Sequence, residues 1–316
     1  MMLRDNDVAS YYPTIILNQG LNPPAFGELF ETIYRGIVDR RLAAKKLAKT
    51  SPTAEERKRY KTESDSLKIT INGSFGKLGS KYSRLYNPQM LMQVTLSGQL
   101  YLLMLIEALE MNGVQVVSAN TDGLVSYYPD HAHSMVREII GAWEAHTGFV
   151  TEETAYSALY SRDVNNYIAV GTDGSAKTKG AYTPSVGNLH KNPTANIISK
   201  ALIAFLKDGV PFETTINESE DIRDFVYVRK VTGGAFYENG SLGKVARWYI
   251  AKRAISAILT SSGKQVSDSN GCRPVMKYAD GFKCPDDLNR HAYIEVANKA
   301  LFDLGVKRRS RTKDRW

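Results

Sequence analysis

The chain holds 316 residues, 43% hydrophobic and 23% charged, enough apolar material for a sizeable core or for two to three subdomains. Its 41 Lys and Arg outnumber 33 Asp and Glu, and the net charge of +8 suits a polyanion partner without requiring one. Cys272 and Cys284 show neither CxxC spacing nor a nearby histidine pair, which argues against a structural zinc and for a reducing compartment.

The N-terminus, Met-Met-Leu-Arg-Asp-Asn-Asp, has no apolar stretch of the kind that directs secretion. Residues 1–17 read as β-rich around Asp7, with Pro13 marking the strand's end. From about Gly27 the pattern turns helical, and Ile33, Ile37, Arg40, Arg41, Ala44, Lys45 and Leu47 make an apolar and strongly basic helix up to Lys49. Thr50-Ser51-Pro52 breaks it. Ser51 before Pro52, with Glu55 and Glu56 close behind, marks the capped start of a second helix, so the two form an antiparallel hairpin. On the second helix Lys68, Asn72, Phe75 and Gly79 share one face, and on the first Arg41 and Lys45 are also a turn apart.

Gly76-Lys77-Leu78-Gly79-Ser80 closes the hairpin, and a long apolar helix over 89–112 follows, its Met and Leu residues expected in the core. The uncharged run 85–106 carries Asn87, Gln89, Gln93, Ser97, Gly98 and Gln99, which reads as too polar for a membrane span. Residues 116–126 are two short apolar runs meeting at Asn120-Thr121-Asp122-Gly123, a β-hairpin whose polar tip lifts Asp122 to the sheet edge. Alone, an Asp before Gly is a turn residue. With Asp7 on a neighbouring strand, two carboxylates can share a site, and hard Mg²⁺ ions with oxygen ligands and substrate phosphates are what two-metal phosphoryl transfer needs.

A helix is expected over about 131–146, where His131 and His133 are two apart and make a poor metal pair. Residues 149–187 alternate like strands, and 196–206 read as a helix. Arg229-Lys230 precede Gly233-Gly234, and Gly243-Lys244 with Arg247-Trp248-Tyr249 interleave basic and aromatic side chains, suited to a duplex backbone or to a plain structural hairpin. The tail Lys307-Arg308-Arg309-Ser310-Arg311-Thr312-Lys313 is expected to be disordered or an electrostatic contact to nucleic acid.

Three segments, in order, resemble the polymerase motifs of the family B DNA polymerases. Asp7-Val8-Ala9-Ser10-Tyr11-Tyr12-Pro13-Thr14 is similar to their Asp-x-x-Ser-Leu-Tyr-Pro-Ser. Lys68-Ile69-Thr70-Ile71-Asn72-Gly73-Ser74-Phe75-Gly76 is similar to Lys-x-x-x-Asn-Ser-x-Tyr-Gly, and Asn120-Thr121-Asp122-Gly123 to Asp-Thr-Asp-Ser. The resemblance implies an α+β right-hand core: an antiparallel palm sheet backed by helices (1–30 and 80–187), helical-hairpin fingers (31–79) and a mixed thumb (188–316). It further implies that Asp7, Asp122 and the Val8 carbonyl hold two Mg²⁺ ions, with Mn²⁺ a substitute. The backbone amides of Ser10 and Tyr11, with Arg41, Lys45 and Lys68, would hold the triphosphate of a dNTP. Tyr12 would select the sugar, and Asn72 and Phe75 would attend the base pair, Gly76 following them. Tyr167, Lys177, Lys179, Gly180, Lys244 and Arg247 would meet primer-template DNA, with Asn165 where the family has a lysine.

Two departures bear on function. Asn120 and Gly123 replace the first carboxylate and the serine of the third motif, so retained chemistry is expected with weaker metal affinity or an altered metal preference. The resemblance covers the polymerase half of the family's architecture, with no N-terminal exonuclease ahead of Asp7. The remaining half is then a separate chain or the sequence is a fragment, and no proofreading is expected from this polypeptide. The expectation is therefore a phage-type DNA polymerase core in the host-cell cytoplasm, off the membrane. The competing expectation is a catalytically impaired, non-catalytic primer-template clamp of a split polymerase. An RNA-making palm enzyme is disfavoured by Tyr12.

Overall fold

Strand β1 (Met2–Val8) opens the chain and carries Asp7 near its end. A computed structural model describes residues 1–185, 194–276 and 282–306, and the chain divides into two compact units, Met1–Ala155 and Tyr156–Trp316. The basic tail at 307–313 lies outside the described residues.

In the first unit β1 is shorter than the sequence suggests. The Tyr-Tyr-Pro-Thr-Ile-Ile run is helix α1 (Tyr11–Asn18), and Pro13 sits in its first turn, where a missing N–H removes no intrahelical bond. Ser10, at φ 55 and ψ 45, turns the chain from strand to helix. Tyr11, Ile15 and Ile16 bury one helical stripe, so burial outweighs the β preference of aromatic and β-branched residues.

Helices α2 (Glu28–Thr50) and α3 (Ala54–Lys77) are antiparallel, with the Tyr34 hydroxyl donating to the Ile71 carbonyl at 3.5 Å and Arg40 paired with Glu63 at 2.7 Å. The cap of α3 is Thr53 rather than Ser51. Its hydroxyl accepts from the Glu56 amide at 3.2 Å while the Glu56 carboxylate accepts from the Thr53 amide at 3.4 Å, a reciprocal box that fixes the turn.

Helix α4 (Pro88–Met111) starts at Asn87, whose side chain accepts from the Met90 amide at 3.1 Å. Met90, Val94, Gly98, Leu102, Leu105 and Leu109 line its buried stripe. The expectation that its Met and Leu residues lie in the core fails on the other side, where Met92, Leu96 and Leu100 are 62%, 50% and 61% exposed. By length and composition alone α4 would pass for a membrane span despite its Gln and Ser, but the buried stripe belongs to the core of this unit.

Strands β2 (Gln115–Asn120) and β3 (Gly123–Tyr128) form the expected hairpin, followed by α5 (His133–Thr147) and β4 (Thr151–Asp163), which passes into the second unit. The strand order in the first unit is β2-β3-β1-β4. Val8, Ile15, Leu105, Leu124, Tyr128, Ile140 and Phe149 fill the core behind it.

In the second unit, β4 continues beside β5 (Asn166–Gly171) and β6 (Ala176–Lys179), all antiparallel. The helices are α6 (Asn196–Asp208), α7 (Phe212–Glu218) and the short α8 (Ile222–Phe225). A second sheet of β7 (Tyr227–Tyr237), β8 (Gly240–Ile250), β9 (Ile258–Thr260) and β10 (Cys272–Pro274) has the order β10-β8-β7-β9, and α9 (Arg290–Asp303) closes the unit. Its core is aromatic: Tyr227 stacks on Trp248, and the buried Tyr293 hydroxyl donates to the Phe225 carbonyl at 2.7 Å while accepting from the Ile250 amide at 2.9 Å.

Candidate active site

Strand register brings the two carboxylate-bearing segments together. Asp7 lies opposite Gly123 in the β1–β3 pair, and the Val8 amide donates to the Asp122 carbonyl at 2.6 Å. The hairpin tip is tight: Thr121 has φ 45, the Asp122 amide reaches the Asn120 carbonyl at 2.5 Å, and the Thr121 hydroxyl donates to Asn120 Oδ1 at 3.0 Å. Asn120 thus meets its neighbour's hydroxyl as an acceptor, which a carboxylate would also do, but without the charge.

Glycine at 123 has a steric cause. A Cβ built there would stand 2.4 Å from Asp7 Oδ1 and 2.9 Å from the Asn6 carbonyl, so the Asp7 carboxylate occupies the space a side chain would need. Asp7 therefore lies across the base of the hairpin that carries Asp122.

The segment after Asp7 forms the second part of the site. Helix α1 begins with no side-chain cap on its first amides. Arg41 of α2 reaches over and donates from Nη1 to Ser10 Oγ at 2.5 Å, while its buried Nε has no hydrogen-bond partner. A helix N-terminus with a guanidinium beside it is an anion-binding arrangement. Burial, and secondarily the nearby Asp122 charge, push the Tyr12 phenol above its ordinary range, and Tyr11 is raised further, by burial first.

Tyr12 stacks on Phe75 of α3 with ring centroids 4.4 Å apart, and the Tyr11 hydroxyl donates to the Gly98 carbonyl at 2.5 Å. Gly98 lets α4 approach: a Cβ there would meet the Tyr11 ring at 3.2 Å and the Tyr12 ring at 3.4 Å. A glycine inside a helix pattern was the available sequence signal for this contact. Lys68 and Asn72 are exposed on α3, Gly76 is its penultimate residue, and Lys45 is held by Glu152 of β4, with Nζ to Oε1 at 2.5 Å. Glu152 carried no signal in the sequence, being 107 positions from its partner.

Asp7, Asp122 and the Val8 carbonyl are oxygen donors, the set that hard divalent ions such as Mg²⁺ accept. Among the described residues no group of three or more His, Cys, Asp or Glu stands ready as a self-sufficient cage, so a cation here would share its shell with substrate phosphate or water.

The other predicted site residues lie in the second unit. Tyr167 of β5 pairs in register with Lys179 of β6, whose Nζ lies 5.9 Å from the Tyr167 ring centre. Lys177 stands opposite Ala169, and Gly180 begins the turn after β6, where the Ala181 amide donates to Asn166 Oδ1 at 2.8 Å. On β8, Arg247 pairs in register with Val228 and Lys244 is exposed.

A family model described as DNA polymerase family B matches residues 27–140, which take in α2, α3, α4 and Asp122. DNA polymerase 1 of Pyrococcus abyssi is 26% identical over 154 residues, 42% of this chain and 20% of its own length. The family B DNA polymerase of Pyrobaculum calidifontis has a similar fold, with a TM-score of 0.55 and 17% identity over 97% of this chain and 46% of that one. The chain thus spans less than half the length of these relatives, and its mixed helical and antiparallel-sheet architecture resembles part of a family B polymerase.

Proposed function

We propose that the chain is the core of a DNA-directed DNA polymerase that adds dNTPs to a primer 3′-hydroxyl on a DNA template. The observation that carries this reading is the register of Asp7 against Gly123, with the Val8 amide bonded to the Asp122 carbonyl, which sets two acidic residues at one hairpin. The matches to family B polymerases support the same reading. In it, residues 1–30 and 80–187 are palm, 31–79 fingers and 188–316 thumb.

The reaction forms a bond between the primer 3′-oxygen and the α-phosphorus and breaks the bond to the leaving pyrophosphate. Bound Mg²⁺ would ease deprotonation of the attacking hydroxyl and neutralise charge on the phosphates. Asp7, Asp122 and the Val8 carbonyl would hold the ions. The first amides of α1 and the Arg41, Lys45 and Lys68 side chains hold the triphosphate and stabilise charge gathering on the pyrophosphate. Tyr12, braced on Phe75, lies under the sugar and leaves no room for a 2′-hydroxyl, while Asn72 attends the base pair. Tyr167, Lys177, Lys179, Gly180, Lys244 and Arg247 run along the primer-template backbone. Catalysis is positioning plus charge stabilisation.

Asn120 favours a second reading, a primer-template clamp without catalysis that works with a separate polymerase or exonuclease chain in phage replication. Primer extension with Mg²⁺ and Mn²⁺ separates the two. Extension that falls about a thousandfold in Asp122→Ala, with duplex binding retained, supports the enzyme. Duplex binding with no extension under either metal supports the clamp.

A further inference from the structure

One face of α2 carries Arg41, Lys45 and Lys49 at four-residue spacing, three like charges that repel one another. The structure gives this face an anion of its own. Glu152 sits 2.5 Å from Lys45, and that hydrogen bond, followed by the charges of Lys45, Lys49 and Arg41, holds its carboxyl below the ordinary glutamate range. The next residue, Glu153, turns away to Arg4 at 3.3 Å and Arg137 at 3.6 Å, as strand alternation requires. The Ala9 amide donates to the Val150 carbonyl at 2.9 Å, so the start of β4 is tied to the turn that bears Ser10, the residue Arg41 also holds. Glu152 is thereby fixed beside Arg41 and Lys45, two of the cations that the polymerase reading assigns to the triphosphate.

We propose that Glu152 is a placeholder for the incoming triphosphate: its carboxylate holds the Lys45 ammonium until a nucleotide displaces it. This rests on the polymerase reading of α2. Lys45 and Glu152 side chains are 32% and 55% exposed, so the pair is weak. A triphosphate, with several charges and oxygens to offer three cations at once, outcompetes a single carboxylate. The carboxylate also sets a threshold: an anion with fewer charges gains less by displacing it, which favours triphosphates over monophosphates.

The test uses the full chain and Glu152→Gln, with inorganic triphosphate binding followed by calorimetry beside the KM and kcat of primer extension. Triphosphate is expected to bind about threefold tighter to Glu152→Gln, the worth of an exposed ion pair. The nucleotide KM should fall by the same factor while kcat does not rise, and the gain should shrink in a Lys45→Ala background. Equal or weaker triphosphate binding by a Glu152→Gln protein with native circular dichroism overturns the placeholder. If the parent chain still extends primers in that case, the polymerase reading survives. If neither protein binds triphosphate or extends a primer, both fall.

Discussion

In the first unit the side-chain amide of Asn6, the hydroxyl of Ser126 and Nε of Arg41 are among the buried groups with no hydrogen-bond partner among the described residues, whereas in the second unit this holds among the described residues for Nε of Arg229, whose guanidinium is still held through Nη2 by Asp268 at 2.5 Å. Tyr293 makes two backbone bonds there, the Trp248 indole donates to the Asp268 carbonyl at 2.9 Å, and the Ser269 hydroxyl donates to the Val266 carbonyl at 2.6 Å. A buried polar group without a partner costs about 1–3 kcal/mol. Asn6 and Ser126 share the core face of β1 and β3 with Leu124, the face opposite to Asp7, and Arg41 reaches the turn just after Asp7. More of the uncompensated polarity thus falls in the first unit, with Arg41 Nε beside the proposed site. Strain of this kind collects where function and not stability sets the residue.

The sharpest way to break this contrast is at Gly123. Gly123→Ser places a side chain where the Asp7 carboxylate lies, so primer extension should drop about a hundredfold or more, the consequence of a misplaced reacting group. Melting should fall too, because Gly123 is buried and a Cβ there also meets the Asn6 backbone carbonyl at 2.9 Å, so extension is compared under conditions where circular dichroism shows both proteins folded. Restoring the residue type usual in the third motif would here impair the enzyme, and full activity in that variant would show that Asp7 is not the group that matters. A smaller effect, and of the opposite kind, is expected in the second unit: Tyr293→Phe leaves the Ile250 amide and Phe225 carbonyl without their partner and should lower unfolding free energy by about 1–3 kcal/mol in denaturant titration, with the nucleotide KM unmoved. Smallest is Ser126→Ala, which removes a hydroxyl with no partner and should be neutral or stabilising by up to about 1 kcal/mol in the same titration. A loss of several kcal/mol there would mean that the hydroxyl is satisfied in solution and that the contrast between the units is false.

Much of this was readable from local chemistry. The α2–α3 hairpin follows from its basic and apolar periodicity and the break at Pro52, although the cap fell two residues later, on Thr53, because its hydroxyl and the Glu56 carboxylate stand at the spacing of a reciprocal box. The β2–β3 hairpin follows from its turn residues. Helix α1 was hidden because Tyr, Thr and Ile favour strands until burial decides otherwise, and its start depends on a backbone conformation at Ser10 that composition does not reveal. The exposed side of α4 was hidden for the converse reason: apolar residues all round a helix look like core from the sequence, and only the fold says which side is covered. The Lys45–Glu152 pair and the seating of Asp7 over Gly123 are long-range contacts that no local pattern encodes.

The conformation of Ser10 narrows which amino acids position 10 will tolerate. The left-handed backbone disfavours β-branched and bulky residues, so threonine keeps the hydroxyl but strains the turn, while glycine relaxes the turn but drops the hook for Arg41. Serine meets both demands, and only asparagine and aspartate offer an oxygen in the same backbone. A saturation library at this codon should therefore return a very short alphabet of survivors, chosen jointly by peptide torsion and by a guanidinium from another helix.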